Sequence, residues 1–330
     1  MTRADPPIDV VGLGNAIVDV VAETPDALVE KLGLARGTMT LVDEARITEL
    51  YGAMGPAIEV SGGSCANTMA ALAGLGGTAC YIGKVQSDQL GEVFRHDIRS
   101  VGVSFDTCPL DGGPAKARCL VFVTPDAQRT LVTYLGACVE LGPADVDETS
   151  VADAKIAYLE GYLWDRPAAK EACIKAADIA HRADRKVALS LSDPFCVDRW
   201  REEFIELIEN RVDIVIANEA EITSLYQTES FDQAAEEIAG RCTLAALTRG
   251  AAGSVIVTSD ERIDVEAASV ETIVDTTGAG DLYAAGFLYG LTHGMPLLKC
   301  GRLAGLTAAE VLSRYGARIE HPLTPLIEAA

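Results

Sequence analysis

No two of the nine cysteines form a C-x-x-C pair. Cys65, Cys80, Cys108, Cys119, Cys138, Cys173, Cys196, Cys242 and Cys300 stand singly. An odd, unpatterned set excludes a disulfide scaffold and reads as reduced thiols in a cytosolic protein. The four histidines (His96, His181, His293, His321) lack metal-ligand spacing, so no structural zinc site is expected. Positive charge is scarce: 27 Lys and Arg face 49 Asp and Glu, a net charge of −22. A surface this acidic repels nucleic acid and anionic membranes, and neither is expected as a partner. No run reaches the ~18 apolar residues of a membrane span, and Met1 to Pro7 carries no apolar leader core. A cytoplasmic protein is the expectation. Internal repeats and low-complexity tracts are absent too.

What is present is ordinary globular material, 49% hydrophobic and 23% charged, with ample apolar content for a core. At 330 residues the chain predicts one large domain, or one plus an accessory piece.

The stretch Asp275-Thr-Thr-Gly278-Ala279-Gly280-Asp281 carries the most chemistry. It follows a short extended run (Val270, Ile273, Val274) and opens an apolar helix from about Leu282 to Thr292. Small residues let the backbone approach a ligand closely. Free N–H groups at a helix start favour an anion. Asp281 adds a carboxylate where that anion would react. A phosphate cradle with an acid at its lip suggests phosphoryl transfer, in which the protein positions reactants and orients a nucleophile. The plainer alternative is a strand-to-helix turn capped by Asp281.

In chain order, Ile8–Gly14 reads as a strand, and Asn15 to Ala22 continues as an alternating strand carrying Asp19. Gly12-x-Gly14 does not make a dinucleotide fingerprint, because Ile17 stands where a third glycine is needed and no helix opens there. Hydride transfer is disfavoured accordingly. Asp19 is either a solvent-facing strand residue or, beside Asn15 at a strand mouth, a group for a sugar diol. Asp26–Leu32 reads as a helix, Thr38–Val42 as a strand and Glu44–Gly52 as a helix. Val60-Ser-Gly62-Gly63-Ser64-Cys-Ala-Asn67 is a second glycine turn. It feeds the small-residue run Thr68–Leu75, which predicts close packing on a sheet. Tyr81–Val85 is a strand and Gly91–Ser100 a helix. Gly83-Lys84 is no Walker motif, since Thr78 and Val85 depart from it.

Ala117–Val123 and Thr130–Leu135 flank Thr124-Pro-Asp-Ala-Gln128 as a hairpin, with no helix after either run. With the strands near 17–21 and 38–42 they predict a small separate sheet, a lid or a dimerisation surface, drawn from about 15–45 and 115–137. Arg129 is either a solvated turn residue or a mobile cation that meets a transferred phosphate when the lid closes.

From Ile156 the rhythm is strand and helix: strands 156–159, 186–191, 214–217, 244–247 and 253–257, with helices 167–181, 200–210, 219–225 and 231–240 between them. This α/β alternation specifies a mainly parallel sheet covered on both faces, with ligands beyond the strands' carboxyl ends. Asn218-Glu219-Ala-Glu221 follows one strand. It is a helix cap, or an acidic group near Mg²⁺ acting through water. Thr248-Arg249-Gly250-Ala-Ala-Gly253 follows another. It is an ordinary turn, or a holder of nucleotide phosphates in which Arg249 offsets the acidic field. Phe195, after Leu191-Ser-Asp193-Pro, and Tyr162 are core packing or ligand walls.

These stretches together resemble the ribokinase (PfkB) family of carbohydrate and nucleoside kinases. Ser61–Asn67 with Gly74, Gly76 and Gly83 carries the first half of the resemblance and Asp275–Asp281 the second, with Asn218-x-x-Glu221 between them in the family's order. The resemblance runs from about Val10 to Arg318. It implies a ribokinase-like α/β fold, a single kinase domain over 1–330 with a discontinuous β-sheet lid. It implies that ATP and Mg²⁺ are used and that Asp281 is the general base for a sugar hydroxymethyl group. Gly278, Ala279 and Gly280 would hold the developing charge through backbone N–H groups. Asn218 and Glu221 match the Mg²⁺ and phosphate motif. Asp19, Gly63 and Asn67, with Gly62 and Asn15 beside them, match sugar-binding positions. Gly14–Asp19, Ser61–Asn67 with Arg129-Thr-Leu131, and Leu191–Phe195 look most like the family's adenosine kinases, so that Phe195 and Tyr162 could wall a nucleoside base. Thr248-Arg249-Gly250 looks more like the sugar kinases. A nucleoside kinase is therefore expected, with a free-sugar kinase as the alternative and a non-catalytic nucleotide-binding regulator disfavoured by the intact Asp281 motif. The resemblance leaves a monomer and a homodimer paired through the lid both open.

Overall fold

Why the chain builds two sheets is visible in where its strands bury side chains. The computed structural model describes residues 7–126, 128–314, 316–319 and 321–330. Most of the N-terminal stretch read for a leader, and Ala127 of the hairpin turn, lie outside the described residues. β1 (Ile8–Leu13) is buried on both faces, then β2 (Ile17–Glu23) alternates buried and half-buried positions. A strand buried throughout belongs between two helix layers, whereas an alternating one has a single covered face. The two therefore separate at Gly14–Ala16 into different sheets.

After β2 come helix α1 (Asp26–Lys31), β3 (Met39–Leu41), α2 (Glu44–Ala53) and β4 (Ile58–Gly62). The chain returns through α3 (Ser64–Gly74) to β5 (Ala79–Ile82) and α4 (Gln89–Ser100), then leaves again for the hairpin β6 (Arg118–Val123) and β7 (Arg129–Tyr134). From there it stays in the large layer through α5 (Glu148–Ala152), β8 (Ala154–Glu160), α6 (Pro167–Arg182), β9 (Lys186–Ser190) and α7 (Pro194–Arg211). Next follow β10 (Ile214–Asn218), α8 (Glu219–Tyr226), α9 (Phe231–Ile238), β11 (Leu244–Thr248), β12 (Ser254–Val257) and β13 (Arg262–Val265). Helices α10 (Ala279–Thr292), α11 (Leu297–Leu312) and α12 (Pro325–Ala329) end the chain.

Among the described residues, eight strands form the large sheet in the order β13-β12-β11-β10-β9-β8-β1-β5. It is parallel from β11 to β5 and antiparallel at β12 and β13. Five strands form the smaller sheet, β3-β7-β6-β2-β4. Side chains of alternate residues enter two cores on opposite faces of the large sheet, Ile156 and Tyr158 in one, Ala157 and Leu159 in the other. The first core continues under the small sheet through Val18, Val20, Leu120, Phe122 and Val132. Helix α10 is apolar almost all round and buried, as a central helix must be. It packs on α3 and α11. The absent side chain of Gly286 makes that packing possible, since a Cβ there would stand 2.4 Å from Thr307 Oγ1 and 2.8 Å from Ala304 Cα. Among the described residues no helix is long and apolar enough to cross a membrane.

Three sequence expectations need correction. The run before Asp275 is not a strand: residues 266–275 are irregular, and β13 ends ten residues earlier at Val265. Helix α10 starts at Ala279 rather than Leu282, so Asp281 lies inside its first turn. Helix α7 starts at Pro194, not Trp200. Asp193 caps it by accepting from Cys196 N, and non-helical dihedrals at Trp200 (φ −122, ψ 21) kink it where the sequence suggested a beginning. Several elements escaped the sequence pattern altogether, among them the edge strand β4 and helices α5, α11 and α12.

Candidate active site

The parallel strands end along one edge. Register pairs Leu13 with Leu159, Glu160 with Ser190 and Asn218 with Thr248, so the loops after these strands open side by side. The N-termini of α3 and α10 meet at this edge. Gly63 caps α3 at φ +96 and Gly278 caps α10 at φ +80, left-handed conformations that favour glycine. No room exists for another residue at either position. A Cβ on Gly63 would lie 2.2 Å from Asn15 O, and one on Gly278 2.4 Å from Ala317 Cβ.

The two turns are joined through Asp281. Its Oδ1 accepts from Ser64 Oγ at 2.6 Å and its Oδ2 from Asn67 Nδ2 at 2.9 Å, both on α3. Burial raises the Asp281 carboxyl above the usual carboxylate range, while these hydrogen bonds and the Arg318 guanidinium oppose the rise. Asn67 Oδ1 is buried without a partner among the described residues, an acceptor suited to a ligand donor. Gly62 abuts Asp19: its missing Cβ would stand 2.3 Å from Asp19 Oδ2. Burial pushes Asp19 up to about 6, against the pull of Arg318, Arg129 and Lys116.

Asn15 is fixed by a residue the sequence did not flag. Glu160 Oε1 accepts from Asn15 N (3.3 Å) and Nδ2 (2.8 Å), and Oε2 accepts from Cys65 N at 2.9 Å. Burial pushes Glu160 up to about 7 despite these donors. Asn15, Ser64, Glu160 and Tyr162 line a cavity of about 530 Å³. Its outer wall carries Met39, Leu41 and Phe195, exposed by 54%, 57% and 76%. Phe195 therefore does not pack in the core. It projects from the first turn of α7. Tyr162 N is held by Ser192 Oγ at 3.2 Å, and Ser192 itself adopts φ +73.

A second cavity, of about 450 Å³, lies on the other side of the 278–281 turn. Thr248, Gly250, Gly253, Ala279 and Gly280 open into it, and Ile273, Ala308 and Leu312 give it apolar walls. A Cβ on Gly280 would meet nothing within 4 Å, so its backbone faces open space.

The remaining expected residues sit as follows. Arg129 begins β7 and makes an ion pair with Asp275 at 2.9 Å, with both side chains only 8% exposed, so it is not a solvated turn residue. Asp275 also accepts from Thr277 N and Oγ1 and from Gly316 N. Asn218 and Glu221 form a reciprocal helix cap: Oδ1 of Asn218 accepts from Glu221 N, and Oε2 of Glu221 accepts from Asn218 N, each at 2.9 Å. Burial pushes Glu221 up to about 7. Arg249 lies outside both cavity linings, 3.6 Å from Glu219 and 4.2 Å above the Phe231 ring. Among the described residues no cluster of His, Cys, Asp and Glu forms a direct metal site. Glu221 Oε1 also accepts from Asn218 Nδ2 at 2.5 Å, so both Glu221 oxygens are engaged within the cap.

Sequence reasoning also missed Arg318 and Lys116. Arg318 donates to Ser61 and Ala66 on the Val60–Asn67 glycine turn. Lys116 is fully buried, donates to Ala16 O and lies 4.5 Å over the Phe94 ring, and burial pulls its ammonium down to about 7. Neither stands in a motif, and no local signal marks it.

Residues 50–323 match the pfkB family carbohydrate kinase profile. A probable sugar kinase from Rhizobium etli is 49% identical, with 98% of each chain covered and a TM-score of 0.91. The adenosine kinase of Sinorhizobium meliloti is 52% identical, covering 98% of this chain and 99% of its own, with a TM-score of 0.90. An uncharacterized sugar kinase from Archaeoglobus fulgidus is 29% identical over 75% of this chain and 96% of its own length.

Proposed function

The chain belongs to the PfkB family of carbohydrate kinases, and within it we propose an ATP-dependent adenosine kinase that phosphorylates the 5′-hydroxymethyl group. That it is a sugar or nucleoside kinase, a phosphotransferase acting on a hydroxyl, follows from the family. The choice of nucleoside rests on one observation, the apolar wall of the 530 Å³ cavity beside Asp281. Met39, Leu41 and Phe195 hold apolar surface toward solvent, which is costly unless a flat apolar group covers it. A purine does so, and a free sugar ring does not. The 52% identity to an adenosine kinase supports the same choice.

In this reading the ribose lies at the inner end of the cavity. Asp19 accepts from its vicinal hydroxyls, with Gly62, Gly63 and Asn15 shaping the approach. Asn67 offers its unpartnered Oδ1 to the sugar. Asp281 accepts the proton of the attacking hydroxyl as the new O–P bond forms and ADP leaves. Gly278 and Gly280 present N–H groups at the start of α10 to the transferring phosphoryl oxygens, whereas the Ala279 N–H, expected from the sequence to join them, donates to Thr276 O at 3.2 Å. The 450 Å³ cavity takes the nucleotide base between Ile273, Ala308 and Leu312, with Thr248, Gly250 and Gly253 at its mouth. Asn218, Glu221 and Arg249 belong to the nucleotide side, where Mg²⁺ offsets phosphate charge. The small sheet is the lid, and Arg129 is its cation nearest the reacting groups. The nine free cysteines accord with a reducing cytoplasm.

A panel of nucleosides and free sugars in one ATP-consumption assay tests the proposal. Adenosine should give the highest kcat/KM. Turnover of ribose or fructose with none of adenosine overturns the nucleoside assignment and leaves a sugar kinase.

A further inference from the structure

Arg318 has no part in the mechanism above, yet it touches the segment on which both site carboxylates rest. It follows α11 and reaches back 257 residues to the Val60–Asn67 glycine turn. Nε donates to Ser61 O at 2.8 Å, Nη2 to Ser61 Oγ at 2.8 Å and Nη1 to Ala66 O at 3.0 Å. Asp97 holds Ser61 from the opposite side, accepting from its N at 2.7 Å and its Oγ at 2.5 Å. Between the two anchor points lie Gly62, against the Asp19 carboxylate, and Ser64, hydrogen-bonded to Asp281. One residue past the second anchor, Asn67 holds the other Asp281 oxygen.

We propose that Arg318 is a positioning residue for phosphoryl transfer: it braces the Ser61–Ala66 turn and sets its positive charge against the segment whose Ser64 and Asn67 hold Asp281, the group that takes the hydroxyl proton. The proposal rests on the kinase reading of the site. The field of Arg318 has the sign this requires. At Asp19 it is the strongest influence opposing burial, ahead of Arg129 and Lys116, and at Asp281 it works with Ser64 and Asn67 against burial. Its own guanidinium is pulled below its ordinary range by burial, and Asp97, Asp19, Asp281 and Tyr81 oppose that. Other groups coupled to Asp281 are Asp19, Glu160, Glu221, the Cys65 thiol and the Tyr158 phenol. The acid limb of the pH–rate profile therefore belongs to interacting carboxyls rather than to Asp281 alone.

The sign of each substitution follows. Removing the Arg318 charge leaves burial less opposed, so protons are held to higher pH and the acid limb moves up. Removing the Asp97 charge leaves the Arg318 field less neutralised at Asp19 and Asp281, so the limb moves down.

The test uses the full chain with ATP and the acceptor that the unsubstituted enzyme turns over best, following kcat/KM from about pH 5 to 9. Arg318→Gln should raise the acid limb by about one unit, the lower end of what a close opposite charge supplies. Turnover on that limb then falls about tenfold. Arg318→Lys, which keeps the charge and loses the fork of donors, should hold the limb near its original position at reduced kcat. Asp97→Asn should lower it. Loss of amplitude in all three with an unmoved limb is what a purely structural brace would give, and it overturns the proposal. If circular dichroism shows Arg318→Gln unfolded, Asp97→Asn decides: a lowered limb supports the proposal and an unmoved one sinks it. An unsubstituted enzyme inactive on every sugar and nucleoside removes the kinase reading, and this proposal with it. An active enzyme with unmoved limbs removes this proposal alone.

Discussion

Asp281 reaches its position by two routes, and only one of them is local. The Gly278-Ala279-Gly280 turn places it in the first turn of α10, and that much is written in seven consecutive residues. Its hydrogen bonds come from Ser64 and Asn67, 217 and 214 residues away, and depend on how α3 and α10 cross. For that reason the motif exposed Asp281 in the sequence, while Glu160 and Arg318 stayed hidden. Each of those two is a single residue with no pattern around it, and their partners lie 145 and 257 residues distant. Asn15 was flagged in the sequence, but the carboxylate that orients it was not. Replacing Asp281 by Asn keeps the shape and removes the base. Turnover should fall by at least ~10²-fold, the usual contribution of a positioned base. Nucleotide binding, followed by calorimetry, should persist, because the 450 Å³ cavity does not include this side chain. Near-normal turnover removes Asp281 from the mechanism.

The β4–α3 turn shows how two adjacent glycines serve different ends. Gly63 sits at φ +96 with a backbone oxygen 2.2 Å from where its Cβ would be, so nothing flexible can yield. Gly62 has the Asp19 carboxylate in that place, a side chain that can rotate away at the cost of its pose. Gly63→Ala should therefore act on stability. Holding a non-glycine residue in so sparsely populated a conformation, φ +96 and ψ 140, costs about 1–3 kcal/mol before the clash is counted, and Tm should fall. Gly62→Ala should act on binding instead. Acceptor KM should rise roughly tenfold or more, the worth of a hydrogen bond to a charged group, with Tm and nucleotide KM little changed. Equal effects of the two on Tm would mean that Asp19 is not the group Gly62 makes room for. The sequence marked both glycines but not strand β4, whose five residues count as a strand only through pairing with β2, as in Ser61 with Val18. The start of helix α7 escaped for the opposite reason. Its start signals, Asp193 and Pro194, were present, but the kink at Trp200 breaks the helical pattern six residues in.

Across the whole molecule, the two-sheet plan was legible because burial periodicity differs between them, continuous in β8 and alternating in β2. The tie between the sheets was not. Arg129 was read as a mobile or solvated cation, and it is paired with Asp275 of the 275–281 turn. This pairing also shapes the long-range field. The chain carries a net charge of −22, and two cations at the site are matched by carboxylates, Arg129 by Asp275 and Arg249 by Glu219. A nucleotide triphosphate therefore approaches through a repulsive field with little exposed positive charge to focus it. Screening shortens that repulsion, from a Debye length of about 30 Å at 0.01 M salt to about 8 Å at 0.15 M. Association of a fluorescent ATP analogue, measured by stopped flow at constant free Mg²⁺, should accelerate several-fold over that range. Most nucleotide sites built on basic grooves show the opposite slope. Adenosine is neutral, and its association rate should stay flat across the same series. This separates a field effect from a salt-induced change in the protein. An ATP rate that falls with salt would mean that the N-terminus of α10 and the arginines around it outweigh the acidic surface, so that entry is steered locally despite the net charge.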